Sequence, residues 1–257
     1  MPNGGEQGRW LRELKPGRAG YPALVCFPPG GGSATSYRDL AASFGPGPAV
    51  YAVQYPGRQN RIGEEFVSSI TELADHSAAA TASLVPGSPV LFGHSMGATV
   101  AFETVRRLEA RGRTVAALFV SGRPDPAFAD QGTLHRGADA DLIGELERLA
   151  NDPATVTILR NEPALAEMVL PVVRNDYRAV ETYRYREGER LRCDLVALLG
   201  RSDPTTSPEQ VARWREHTSG DFAVRLFPGG HFYLDEHTRE IADLITSVIA
   251  SGGLPTT

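Results

Sequence analysis

The chain has 257 residues, 41% of them hydrophobic and 22% charged, with a formal net charge of −5. That balance points to one globular domain, at most two, and excludes a disordered tail, a fibre and a coiled coil. No apolar run approaches the roughly 20 residues a membrane span needs, and no broad basic stripe suits a nucleic-acid partner.

The first twenty residues carry Glu6, Arg9, Arg12, Glu13, Lys15 and Arg18 without an apolar stretch. No secretory signal is expected, and the chain reads as cytoplasmic. Lys15 is its only lysine; with the many Ala, Gly and Pro, that reflects codon bias and not chemistry. Cys26 and Cys193 are the only cysteines, each inside an apolar run. They are expected to be buried thiols, not a disulfide or a metal site. No metal and no cofactor is expected.

Short, near-continuously apolar runs predict strands over 23–27, 49–54, 90–93, 116–120, 195–199 and 222–226. Such runs belong to strands covered on both faces. Helical spacing predicts helices over 35–43, 68–84, 96–111, 208–218 and 238–250. The alternation implies an α/β fold with a mostly parallel sheet. Between 124 and 192 it breaks, with helical patterns over 139–149 and 163–174 and a segment through Tyr177 and Tyr183. Asp139 or Asp141 can cap the first, and Pro163 suits a first turn. This stretch reads as a helical insertion inside one domain spanning 1–257, and insertions of this kind often act as lids. Residues 252–257 are expected to fray.

The strongest chemical signal is Gly93-His94-Ser95-Met96-Gly97, between a predicted strand and a predicted helix. A G-x-S-x-G turn there lifts a serine hydroxyl over the sheet edge and aims the free N–H groups of a helix N-terminus at a developing oxyanion. The serine needs a base. His231, in Pro228-Gly229-Gly230-His231-Phe232, follows the last strand, where an α/β-hydrolase places it. His94 adjoins Ser95 along the chain and cannot easily fold back onto it. His76, His135, His217 and His237 lie in helical or polar surroundings and are expected to be solvated. The base needs an acid. Asp203 stands just past the strand over 195–199 and is favoured; Asp125, after the preceding strand, is the rival. Met96 supplies one oxyanion N–H. Gly30 is the first residue of Phe27-Pro28-Pro29-Gly30-Gly31-Gly32-Ser33 able to supply the other, since proline has none. That loop lacks the Gly-Lys-Ser/Thr ending of a phosphate-binding loop.

These residues resemble the stand-alone type II thioesterases that accompany polyketide synthases and nonribosomal peptide synthetases. The matching pieces are Cys26-Phe27-Pro28-Pro29-Gly30-Gly31-Gly32, Val53-Gln54-Tyr55-Pro56-Gly57-Arg58 with Arg61, Gly93-His94-Ser95-Met96-Gly97 and Gly229-Gly230-His231-Phe232. The resemblance runs from about residue 20 to 250, and the segment around Tyr55-Pro56-Gly57-Arg58 narrows it to this family. One departure is Pro29-Gly30, where the family often has His or Tyr followed by Ala.

The resemblance implies an α/β-hydrolase fold with a helical lid, a monomer, and hydrolysis of stalled or aberrant acyl groups from the phosphopantetheine arm of acyl or peptidyl carrier proteins. Read without it, Arg58 and Arg61 are solvated or paired with carboxylates. Leu142, Leu146, Leu149, Leu165, Met168 and Val169 either line an acyl chamber or form the insertion's own core. Arg174, Arg178, Arg184, Arg186, Arg190 and Arg192 either dock an acidic carrier protein or form a solvated face balanced by Asp176, Glu181, Glu187 and Glu189. Alternative readings are a carboxylesterase acting on free small esters, a cyclising terminal thioesterase, and a non-catalytic accessory that binds carrier proteins.

Overall fold

The computed structural model describes residues 4–254. A short helix, α1 (Gly4–Trp10), leads into β1 (Leu11–Lys15), β2 (Leu24–Phe27), α2 (Arg38–Ser43), β3 (Val50–Val53), α3 (Ile70–Leu84), β4 (Val90–His94), α4 (Met96–Ala110) and β5 (Ala117–Ser121). Three helices follow: α5 (Asp139–Leu149), α6 (Pro153–Asn161) and α7 (Pro163–Thr182). The chain then returns to the sheet with β6 (Asp194–Gly200), α8 (Pro208–Ala212), β7 (Phe222–Phe227) and α9 (Thr238–Ser251).

The seven strands form one sheet in the order β1-β3-β2-β4-β5-β6-β7, parallel except for the edge pair of β1 with β3. Along each inner strand, alternate side chains enter opposite faces. Val25, Phe27, Leu91, Leu118 and Val120 pack with α3 and α4. Leu24, Cys26, Phe92, Phe119 and Leu198 pack with α2 and α9. Both faces are therefore dry, which is why the strands read as continuous apolar runs. Each fully buried Leu or Phe contributes roughly 1.5–3 kcal/mol.

Strand β1 escaped the sequence reading because Leu11-Arg12-Glu13-Leu14-Lys15 is a charged edge segment whose pairing with β3 is non-local. The helix expected over 68–84 starts at Ile70, capped by Ser69, whose hydroxyl accepts the Glu72 N–H at 3.3 Å. In the insertion, Asp141 reaches back to the Ala138 N–H at 2.9 Å. The last insertion helix runs on to Thr182 instead of ending at 174, with Pro171 inside it. Helix α6, started by Asp152 and Pro153, was not foreseen. Helix α9 ends at Gly252, with φ 69°, and positions 255–257 lie outside the described residues. Cys26 and Cys193 are buried free thiols. No helix among the described residues is long and apolar enough to cross a membrane.

The strand order reverses direction between β2 and β4. Loops leaving the carboxyl ends of those two strands diverge there and open a crevice, the place where α/β sheets bind ligands. Phe27 pairs with Gly93, and His94 with Ser121, so the strand ends are level. Hydrogen bonds beyond the strands stitch the exits together: Ser95 N–H to the Ser121 carbonyl at 2.8 Å, and Gly122 N–H to the Leu198 carbonyl at 3.0 Å.

Candidate active site

Ser95 joins β4 to α4 with φ 54° and ψ −122°, a backbone state that a non-glycine residue holds only when its surroundings enforce it. The flanking glycines show what enforces it. A Cβ on Gly93 would lie 2.2 Å from the Gly97 carbonyl oxygen, and one on Gly97 would lie 2.0 Å from that of Phe27. Any larger residue would push the turn away from β2 and from the Pro28–Ser33 loop that follows it.

The turn opens on a cavity of about 300 Å³ whose lining includes Ser95, Met96, Gly30 and His231. His231 is buried, and its Nδ1 stands 2.9 Å from Asp203 Oδ2. Thr205 gives the same carboxylate two further bonds, from its N–H at 2.8 Å and its hydroxyl at 2.7 Å. Burial alone would raise the pKa of Asp203. The hydrogen bond and charge of His231, with the Thr205 bonds, outweigh burial and hold it below the ordinary carboxylate range. An ionised Asp203 fixes the imidazole with its proton on Nδ1, which leaves Nε2 free to accept one.

The rival acid is committed elsewhere. Asp125 is buried against His217, with Nε2 to Oδ1 at 3.2 Å, and Arg213 approaches its other oxygen at 3.7 Å. His217 is therefore not solvated as expected; it is buried in an aromatic box with Phe102, Tyr185 and Trp214. The other three expected to be solvated also have partners: His76 stacks on Trp10, His135 bonds to Glu181, and His237 lies 3.1 Å from Glu240. Short-range polarity misleads for His76, His135 and His217 because their neighbours come from distant segments, whereas His237 meets a carboxylate three residues on.

The two candidate oxyanion donors, Met96 and Gly30, come from different segments. Met96 begins α4, and Gly30 lines the same cavity. The Gly31 N–H is already spent on Asp176 Oδ2 at 2.8 Å, whereas among the described residues no acceptor is bonded to the Gly30 or Met96 N–H.

Several neighbours of the site escaped the sequence reading. His94 does not reach Ser95; it lies beneath His231, with ring centroids 4.9 Å apart. Its Nδ1 is 2.9 Å from the Ser121 hydroxyl, which is 2.6 Å from that of Tyr233. Burial, with His231 nearby, drives its pKa well down and keeps the ring neutral. Glu181 and Asp176, both on α7, also line the cavity. Of the six apolar insertion residues, only Leu149 lines it; Leu142 anchors the insertion's own core, while Leu165 and Met168 are exposed. Arg58 is buried against Asp176, and Arg61 is buried with one nitrogen on Glu64.

The chain is similar to known proteins over most of its length. Residues 22–249 match the family model described as the thioesterase domain. The chain is 40% identical to the thioesterase PikA5 of Streptomyces venezuelae over 253 residues, covering 97% of this chain and 89% of that protein. It is 42% identical to a probable cadicidin biosynthesis thioesterase of Streptomyces griseus over 229 residues, covering 89% of this chain but 63% of that longer protein. Among solved structures, the type II thioesterase BorB of the borrelidin biosynthetic cluster superposes with a TM-score of 0.85 at 43% identity, covering 94% of this chain and 98% of BorB. The chain thus belongs to the thioesterase-domain family of α/β-hydrolase fold, and it is similar over nearly its whole length to type II thioesterases of biosynthetic clusters.

Proposed function

We propose that this thioesterase releases stalled or aberrant short acyl groups from the phosphopantetheine arms of acyl or peptidyl carrier proteins, as an editing enzyme of a polyketide or nonribosomal peptide assembly line. The observation that carries the chemistry is the shared cavity. Ser95, on its strained turn, and His231, oriented by Asp203, face one space with two unspent backbone N–H groups. Ser95 Oγ attacks the thioester carbonyl while His231 Nε2 takes its proton. The oxyanion is held by the N–H groups of Met96 and Gly30. His231 returns the proton to the departing pantetheine thiolate, leaving an acyl-serine. It then draws a proton from water, and the same groups carry the hydrolysis that frees the acid.

The size and lining of the cavity support a short acyl group. About 300 Å³ is at the low end for ligand pockets, and Arg123, Asp130, Glu145 and Arg148 line it beside Phe128, Leu134 and Leu149. A long alkyl chain would strip water from those charges without replacing its bonds. The insertion of α5, α6 and α7 serves as the lid. Arg178, on α7, and Arg186 and Arg190, in the segment after it, are exposed and have no side-chain partner among the described residues, which suits docking of an acidic carrier protein. Arg174 and Arg192 are engaged internally, with Asp139 and Glu109. The protein works as a monomer in the cytoplasm on this reading, in keeping with its buried, unpaired cysteines.

The test is a panel comparing kcat/KM on acyl-carrier thioesters, acyl-CoA and p-nitrophenyl esters of the same acyl groups. Carrier thioesters with short acyl groups are expected to lead, and Ser95→Ala to lower kcat by roughly 10³–10⁶-fold. A preference for free esters would make the protein a carboxylesterase. Full pathway function with Ser95→Ala would make it a non-catalytic accessory, and cyclic products from a linear carrier-bound chain would make it a terminal cyclase.

A further inference from the structure

The loop that carries Gly30 is tethered by a carboxylate outside the serine machinery. Asp176, on α7, is 1% exposed. Its Oδ2 accepts the Gly31 N–H at 2.8 Å and one guanidinium nitrogen of Arg58 at 2.7 Å; its Oδ1 accepts the other at 2.8 Å. Arg58, 6% exposed, also donates to the Gly32 carbonyl at 2.9 Å and lies over the Tyr55 ring at 5.3 Å. Asn175 adds a bond to Asp176 at 3.3 Å. Three distant segments therefore meet at one point: the glycine loop after β2, the turn after β3, and the insertion helix α7. A Cβ placed on Gly30 would be 3.6 Å from that of Asp176, so loop and helix are in contact where they line the cavity.

We propose that the Arg58–Asp176 pair positions the oxyanion hole, so that the Gly30 N–H is in place only when α7 is seated on the glycine loop. The inference rests on the proposed roles of Ser95 and Gly30. An oxyanion donor works only within a few tenths of an ångström of its place. Three consecutive glycines have no intrinsic preference for that place. Pro28 and Pro29 stiffen one side of the loop, and the bidentate fork fixes the other, since planar guanidinium pairing specifies direction as well as charge. Seating of the insertion and completion of the hole thereby become one event.

A merely structural ion pair would, when weakened, lower stability and leave the folded enzyme's turnover intact. A positioning pair lowers turnover in the folded enzyme and leaves carrier binding nearly unchanged. The experiment uses Asp176→Asn, which keeps an acceptor for Gly31, and Arg58→Lys, which keeps the charge but not the fork. The readouts are kcat and KM on an acyl-carrier thioester, the inhibition constant of an alkyl boronic acid that mimics the oxyanion, and the melting curve. In both variants kcat and boronate affinity are expected to fall by roughly 10²–10³-fold, with KM within about threefold and cooperative melting retained. Cooperative folding with kcat and boronate affinity both within threefold of wild type would overturn the proposal. Should a single variant not fold, the pair Arg58→Met with Asp176→Leu, which leaves no buried charge unmatched, decides by the same readouts. A wild-type protein that neither binds the boronate nor turns over carrier thioesters would sink the proposed function and this inference together; an active wild type matched by its variants would sink this inference alone.

Discussion

Two aspartates follow neighbouring strands, and their surroundings separate them. Asp203 takes His231 and Thr205; Asp125 takes His217 and Arg213. Asp203→Asn would leave the cavity's shape intact but let His231 adopt the wrong tautomer, so kcat is expected to fall by about 10⁴-fold with cooperative melting retained. Asp125→Asn leaves His217 bonded more weakly in a buried aromatic box. It is expected to lower stability by about 1–3 kcal/mol while kcat stays within a few-fold, measured by urea unfolding and steady-state kinetics. Equal losses of kcat in both variants would remove the distinction. Sequence order alone admits either aspartate; the choice depends on which histidine each one faces, and that is a fact of folding.

At the scale of the element, the turn after β4 and the insertion carry separate predictions. A methyl on Gly97 would meet the Phe27 carbonyl oxygen at 2.0 Å. Gly97→Ala is expected to cost about 1–3 kcal/mol and to move the N–H of Met96, so unfolding midpoint and kcat should fall together. A variant with wild-type values of both would show that the turn tolerates a side chain. In the insertion, reversing the charge of Arg178, Arg186 and Arg190 together is expected to raise KM for a carrier protein several-fold at low salt, with the difference shrinking as salt rises. KM for acyl-CoA should not follow. An unchanged carrier KM across salt concentrations would exclude docking through these arginines. Arg174 makes a poor probe, because it holds the carbonyls of Leu134, His135 and Gly137 and its loss would loosen the insertion itself.

For the whole molecule, the buried neutral ring of His94 and the depressed carboxylates together set the acid limit. Asp203 and Asp125 are lowered by partners that overcome burial, and Glu64 is lowered chiefly by Arg61. A group with a depressed folded pKa contributes its full stability above the unfolded value, about 3.9 for Asp and 4.3 for Glu, and loses it as pH falls through the folded value. Buried His94 stays neutral while the unfolded chain's ring takes up a proton below about pH 6.5, so unfolding free energy is expected to decline from there and more steeply below about pH 4.5, the second part being shallower in an Asp203→Asn, Asp125→Asn double variant. A curve flat from pH 7 to about pH 4.5, or one with no further steepening below it, would contradict this assignment. The sequence by itself determined what local pattern can encode. Two-sided strands read as apolar runs, the serine turn as two glycines between a strand and a helix, and the proposed base as a histidine after the last strand. Tertiary structure decided everything that depends on a distant partner: the edge pairing of β1 with β3, the reach of α7, the burial of His217 and the meeting of Arg58 with Asp176. The physical reason is that spacing along the chain encodes backbone periodicity and turn sterics, whereas a buried charge becomes legible only when the residue that neutralises it, here 118 positions away, is brought beside it by the packing of the sheet and helices.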